Sequence, residues 1–353
     1  MIITIDCRWI GSSGVGAYID GCLPFLLDSA NYFILLGDQV KLKETVTGRK
    51  NARILDCPFK PFSVKDQFFF PKNLLSEINK SDLYYSPFFN IPSGITIPVY
   101  TTIHDIIFPD MPYLSTRTGL MMRMAFYRRA FSRSKVIFTV SDFSKSRIEH
   151  YSHAKIPVTV TYSALSPEIL QFKKPETKDK TIIFIGNIKK HKGLDCLLDA
   201  FLLARAEGLS YKLVIIGNKE NFRTADESIT QKIISVDSDV IEFTGFLSDE
   251  ELREYLSHAA LLVQPSLYEG FGLPPLEAMA LGTNALISDI PALKEIYSDF
   301  PVTYFKAGDS GDLKDKMMEI LHNKQPSSLV LRDELLYKYT FEKTAGIILR
   351  ELQ

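Results

Sequence analysis

The stretch PSLYEGFGLPPLEAMALGTNALIS, from Pro265 to Ser288, decides how this chain folds. The run ALLVQP (260–265) leads into it, and NALIS (284–288) closes it. Both are short, apolar and bounded by turn residues, as buried strands are. Between them a glycine-bearing turn reaches Pro274 and Pro275, which suit the first turn of a helix because a missing amide hydrogen costs little there. LEAMALG carries the helix on to Gly282. The order is strand, loop, helix, strand. Glu269 falls in the loop, and Glu277 is expected in the first helical turn.

The same alternation repeats outward. TIIFIG (181–186), KLVIIG (212–217) and VIEFTG (240–245) read as further strands of the C-terminal half. LDCLLDAFLLARAEG (194–208) has helical apolar spacing, and SDEELREYLSHAA (248–260) opens with a Ser248–Glu251 capping box. The N-terminal half offers MIITID, YFILLG (32–37), ARILDCP (52–58), LYYSP (83–87), IPVYTTIH (97–104), KVIFTVS (135–141) and PVTVTY (157–162). Continuous apolar strands alternating with helices mean parallel sheets covered on both faces. The polar segment QFKKPETKDK (171–180) reads as a linker between two doubly wound domains. The expected boundaries are 1–168, 169–335 and a terminal helix at 336–353. Ligands of such sheets bind beyond the carboxyl ends of the strands, in a cleft where two domains face each other.

Composition agrees with a folded protein. The 353 residues are 46% hydrophobic and 24% charged. The N-terminus MIITIDCRWIG lacks the basic start and cleavage site of a signal peptide, and no apolar run is long enough to span a bilayer, so a cytoplasmic protein is expected. The four cysteines are scattered, without a CxxC pair, which speaks against zinc. The net charge of −1 hides a basic first half, with 19 Lys and Arg against 13 Asp and Glu in residues 1–165. No basic, aromatic-rich patch suggests nucleic acid. RTGLMMRMAFYRRAFSRSK (117–135), with six cations and no acid, reads either as a domain helix with a basic face or as a helix on an anionic membrane.

The unusual residues lie just after strands. Gly270 and Gly272 let backbone amides approach a ligand, and a helix start can receive phosphate oxygens or sugar hydroxyls. A carboxylate accepts from two adjacent hydroxyls, so Glu269 and Glu277 suit a ligand with two vicinal diols, a nucleotide sugar. Lys192, in FIGNIKKHKGLD, can reach a diphosphate. His104, followed by Asp105, ends a strand of the first half, and Gly14 and Gly16 open a helix after the first strand. Asp38 is the nearest acid to serve as a ribose hook there. Asp237 and Asp239 form a D-x-D, but before a strand, the wrong end of the sheet for a metal in the site.

EGFGLPPLEAMALG resembles the E-x7-E signature of glycosyltransferase family 4, and HDIIF (104–108), VSDFSKSRI (140–148) and FIGNIKKHKGLDCLLDAF (184–201) follow in that family's order. The resemblance implies the GT-B fold, with the terminal helix crossing back to the first domain. It implies a retaining hexosyltransferase that takes a nucleotide-diphosphate sugar, needs no metal or other cofactor, and serves a glycan or lipid-linked acceptor of cell-surface polysaccharide such as lipopolysaccharide or capsule. It places the enzyme in the cytoplasm, peripherally at the inner membrane face. His104 and Glu269 would act on the donor sugar. Gly14, Gly16, Lys192, Gly270, Phe271, Gly272, Leu273 and Glu277 would bind the donor. The family's arginine position holds Asn187, which leaves two alternatives: Lys189, Lys190 or His191 supplies a second cation, or the diphosphate is bound more weakly. That departure keeps a non-catalytic nucleotide- or glycan-binding partner in view, beside a phosphorylase or epimerase on the same fold. The donor's base and sugar stay open among GDP-mannose, a rhamnose nucleotide and UDP-hexoses.

Overall fold

A computed structural model of the chain describes residues 1–153, 156–217, 239–323 and 329–353. It divides into two units, Met1–Ala164 with Tyr339–Gln353, and Leu165–Lys338.

Seven parallel strands form the sheet of the first unit: β1 (Ile2–Asp6), β2 (Tyr32–Gly37), β3 (Ala52–Asp56), β4 (Leu83–Ser86), β5 (Val99–Thr102), β6 (Ser134–Thr139) and β7 (Val158–Val160), in the order β3-β2-β1-β4-β5-β6-β7. The second unit has six: β8 (Thr181–Ile185), β9 (Lys212–Ile216), β10 (Ile241–Gly245), β11 (Leu261–Gln264), β12 (Asn284–Ser288) and β13 (Thr303–Phe305), in the order β10-β9-β8-β11-β12-β13. Each strand read from the sequence is present. β13 adds one that its three residues, TYF, were too short to announce. The order reverses between β1 and β4 in the first unit and between β8 and β11 in the second, and loops diverge at such a point to leave a crevice.

The helices follow their apolar spacing. Leu194–Ala206 buries Leu194, Leu197, Leu198, Phe201 and Ala204, the face that period 3.6 predicts, against Phe184 and Ile215 of the sheet. The capping box is realised: Ser248 Oγ accepts from Glu251 N at 3.3 Å, and Glu251 Oε2 accepts from Ser248 N at 2.8 Å. The segment 171–180 lies inside the second unit. There Lys178 is buried, its ammonium donating to Ser257 O at 2.5 Å and Thr283 Oγ1 at 3.1 Å.

The terminal helix Phe341–Leu352 belongs to the first unit. It buries Phe341, Ala345, Ile348 and Leu352, and packs along the helix Ser13–Leu27. Gly21 of that helix carries no Cβ where the Phe341 ring lies. Thr344 Oγ1 donates to Thr161 O at 2.9 Å.

Candidate functional site

In the second unit, the loops after β8 and β11 meet at the switch point. Glu269 follows β11 and Lys192 follows β8, and the Lys192 ammonium donates to both carboxylate oxygens at 2.7 and 2.9 Å. Glu269 Oε1 also accepts from Gln264 Nε2 at 2.7 Å and Ser266 Oγ at 2.6 Å. The side chains are 23% and 10% exposed, so the pair is largely dry but open on one side. Burial alone would push the Glu269 carboxyl up. The Lys192 ammonium and the Ser266 hydroxyl outweigh it and hold the group below the usual carboxylate range.

The loops themselves are joined. Leu267 N donates to His191 O at 2.7 Å. Gly193 sits in the left-handed region at φ 70°, and a Cβ there would strike the carbonyl oxygen of Pro265. Gly272, at φ 79°, is the N-cap of the helix Leu273–Ala280, where a Cβ would meet Leu293. The buried Tyr297 hydroxyl donates to Gly272 O and accepts from Leu276 N at 3.0 Å, which pins the turn to the helix start. Phe271, within this turn, is buried.

Glu277 is the fifth residue of its helix, one turn further in than the sequence reading placed it. Both prolines fit before it, since the amides of a first turn have no helical partner to lose. Its half-buried carboxyl accepts no hydrogen bond from the described residues, and burial, with the Asp249 charge, pushes it up to about 7. His191 stands beside the ion pair with Nδ1 enclosed and unpartnered among the described residues. Burial and the Lys192 ammonium push its imidazole down to about 4, so it is neutral there. Asn187 is exposed. Asp239 precedes β10, and Asp237 lies outside the described residues.

The first unit has its own cluster at the carboxyl ends of its strands. His104, after β5, has its Nε2 3.0 Å from Pro87 O, which can only accept. The hydrogen is therefore on Nε2, and Nδ1 is left as an acceptor. Burial pushes this imidazole down to about 4, and Tyr18 stands edge-on at 4.9 Å. Asp105 accepts from Ile107 N at 3.1 Å, a local turn bond that holds the backbone after β5. Asp38 has a local backbone role too: it caps a helix, accepting from Val40 N at 2.8 Å, rather than serving as a ribose hook. Gly14 and Gly16 divide. A Cβ at Gly16 would meet Trp9 O at 2.5 Å, so Gly16 serves the packing of the loop after β1, whereas Gly14 faces open space.

Sequence reasoning missed a buried charge network. Arg8 donates to Asp6 Oδ1 at 2.8 Å and Oδ2 at 2.6 Å, and to Asp66 Oδ1 at 2.7 Å, while Tyr84 OH donates to Asp6 Oδ2 at 2.7 Å. The acid within the first strand was the one visible signal, because an isolated buried carboxylate demands a cation.

Residues 166–334 match the family model of glycosyl transferases group 1. The matched span contains Lys192, Glu269 and Glu277. The O-antigen chain mannosyltransferase B of Escherichia coli is 27% identical over 264 residues, 70% of this chain and 67% of the relative. The O-antigen chain mannosyltransferase RfbU of Salmonella typhimurium is 27% identical over 203 residues, 56% of this chain and 54% of the relative. The chain thus spans about half to two thirds of the length of these relatives. The Anabaena HepE structure, solved with UDP and glucose, superposes with a TM-score of 0.72 at 14% identity, covering 100% of this chain and 99% of that one. The sucrose-phosphate synthase of Thermosynechococcus elongatus gives 0.70 at 15% identity, again over 100% and 99%. These likenesses establish the two-domain GT-B fold. The group 1 match and the mannosyltransferase relatives support a role in glycosyl transfer.

Proposed function

We propose that this protein moves a hexose or deoxyhexose from a nucleotide-diphosphate sugar to a hydroxyl of a glycan or lipid-linked glycan, with retention of anomeric configuration, in the synthesis of a cell-surface polysaccharide. The observation that carries the reading is the Glu269 carboxylate at the β8/β11 switch point, kept ionised by Lys192 and oriented by Gln264 and Ser266.

Glu269 orients the donor sugar through its hydroxyls, and the turn Gly270–Leu273 lies against the sugar and diphosphate. Glu277 accepts from the two ribose hydroxyls. Lys192 offsets charge developing on the departing diphosphate, the work that positioned cations do in such transfers. We assign that work to this lysine rather than to a metal. In the first unit the neutral His104 offers Nδ1 to a sugar hydroxyl, and the open Cα of Gly14 admits a ligand close to the helix start. The two O-antigen mannosyltransferases favour a mannose nucleotide as donor and a polysaccharide precursor as acceptor.

A thermal-shift panel of sugar nucleotides tests donor binding, because a ligand of the native state raises the melting midpoint by mass action. Proton NMR of the product formed with a glycan acceptor tests retention. No midpoint shift with any sugar nucleotide sinks the donor reading. Binding without donor consumption leaves a nucleotide-binding partner, the reading that Asn187 at the family's arginine position favours.

A further inference from the structure

Three large apolar side chains of one short segment stand in solvent. Val64 is 67% exposed, Phe68 74% and Phe69 73%, within the stretch PFKPFSVKDQFFFPK (58–72) that follows β3. Two adjacent phenylalanines so exposed are not the scattered apolar residues of an ordinary surface.

The charges around them have one sign. Lys60, Lys65 and Lys72 are exposed. The one acid of the stretch, Asp66, is fully buried, and it accepts from Arg8 NH1 at 2.7 Å, Gln67 Nε2 at 2.6 Å and Phe62 N at 2.9 Å. The carboxylate is thus turned inward to close the buried network, and every exposed charge of the stretch is positive.

The segment is also firmly built. Asp66 ties it to the loop after β1, and Ser93 N donates to Asp66 O at 3.2 Å. Phe62 packs on Trp9 at 6.3 Å, Phe89 at 5.1 Å and Phe126 at 4.8 Å. Phe70 is buried, with the Arg8 guanidinium 5.6 Å from its ring centre. The rings of Phe68 and Phe69 are therefore displayed by an ordered scaffold.

The basic helix Arg117–Arg133 fits a membrane role less well. It buries Tyr127, Ala130 and Phe131. Arg123 stacks on Phe108 at 4.0 Å, and Arg129 and Arg133 donate to Pro92 O at 3.0 Å and Ile95 O at 2.5 Å. Three of its five arginines are thus committed to neighbouring segments of its own unit.

We propose that the segment 58–72 is a docking surface for an anionic lipid bilayer, with Val64, Phe68 and Phe69 entering the headgroup boundary and Lys60, Lys65 and Lys72 meeting lipid phosphates. Apolar side chains ringed by lysines are what such an interface selects. The segment leaves β3 at its carboxyl end and is bonded to the loop leaving β1 at the same end, the end at which His104 leaves β5. Docking there holds the proposed sugar-binding face of this unit beside the bilayer. The inference stands on the surface itself and does not depend on the transfer reading.

The test is co-sedimentation of the full chain with vesicles of phosphatidylcholine containing phosphatidylglycerol, and with vesicles of phosphatidylcholine alone. Binding is expected to the anionic vesicles and to fall with salt. Phe68→Ser/Phe69→Ser is expected to abolish it, and Lys65→Gln/Lys72→Gln to weaken it about tenfold or more, at roughly 1 kcal/mol per cation. Both variants should keep the wild-type circular dichroism and sugar-nucleotide thermal shift, which separates lost docking from lost folding. The proposal is overturned if the wild type ignores anionic vesicles, or if Arg117→Gln/Arg128→Gln abolishes binding and the segment variants do not. It is overturned equally if the wild type is a dimer that Phe68→Ser/Phe69→Ser converts to monomer without change in vesicle binding, which would assign the surface to a second copy.

Discussion

Lys192 and Glu269, 77 positions apart in sequence, close on each other in a two-pronged ion pair at the switch point of the second sheet. Removing one partner strands the other charge in a largely dry site, which costs about 2 kcal/mol for a pair still touched by water. Lys192→Met is expected to lower the melting midpoint, and Lys192→Met/Glu269→Gln to recover much of that loss. Neither recovers donor turnover, which falls about 10²- to 10³-fold in each. A double-mutant cycle read by denaturation and by donor consumption checks this, and simple additivity of the two stability losses would refute the coupling.

The half-buried Glu277, pushed up to about 7, has two opposed consequences. A carboxyl raised in the folded state holds a proton that the unfolded chain has released. Its stabilising contribution is therefore full below the unfolded value near 4.5 and is lost as pH climbs through about 7. After solvent screening this is of order 1–2 kcal/mol. Nucleotide affinity should move the other way, because the ionised form accepts both ribose hydroxyls. From pH 6 to pH 8, UDP or GDP is expected to bind wild type more tightly while the apo midpoint drops, as far as this group decides it. Glu277→Gln should flatten both curves. A variant that leaves the nucleotide pH profile intact removes Glu277 from the ribose.

His104 and His191, both pushed down to about 4, act in the acid range. The unfolded chain takes up protons near pH 6.5 that these neutral rings refuse until about 4. Their contribution is present above pH 6.5 and is lost as pH falls through that window. His104→Gln should weaken the acid-side loss in a urea titration series run from pH 7 to pH 4. An unchanged slope would place the imidazole in water.

Gly14 and Gly16 should part company on substitution. Gly16→Ala drives a methyl into Trp9 O and is expected to lower the midpoint by several degrees, at about 1–3 kcal/mol. Gly14→Ala meets nothing and replaces a helix glycine, so stability should hold or rise by up to about 1 kcal/mol. If the bare Cα of Gly14 serves a ligand, that same variant loses turnover while gaining stability. Equal turnover in Gly14→Ala and wild type would leave Gly14 without a role.

Tyr297→Phe removes the hydroxyl that bridges Gly272 O and Leu276 N. The buried groups left unpaired cost about 1–3 kcal/mol, and the turn that carries Glu269 loosens. The expected signature is a raised KM for the donor with a smaller change in kcat, measured with saturating acceptor. A fall in kcat alone would instead place Tyr297 at the reacting atoms.

Much of this was legible from Pro265 to Ser288 and the runs like it. Continuous apolar strands admit one arrangement, a parallel sheet covered on both faces, so β1 to β12 could be read off as segments. Glu269, Gly272 and Lys192 stood out because each follows a strand. Their pairing did not, since nothing in two loops so far apart in sequence states which carboxylate a lysine will choose. Glu277 was misplaced by a turn because prolines mark where a helix can begin but not how many of its residues precede an acid. The Asp6–Arg8–Asp66 network was hidden for a related reason. Arg8 and Asp66 read as ordinary surface charges until the fold buries both.

The seating of Phe341 over Gly21 has a consequence for how the molecule is made. On the ribosome, the strands of the first unit emerge before the second unit, yet the helix that covers its Ser13–Leu27 face is translated only after the second unit. Throughout synthesis of the second unit that apolar stripe is bare, open to chaperones or to the same stripe on a neighbouring nascent chain. A fragment that stops at Ala164 would carry this uncovered stripe permanently, so dissection of the protein succeeds only when residues 339–353 are supplied, joined or as a separate peptide.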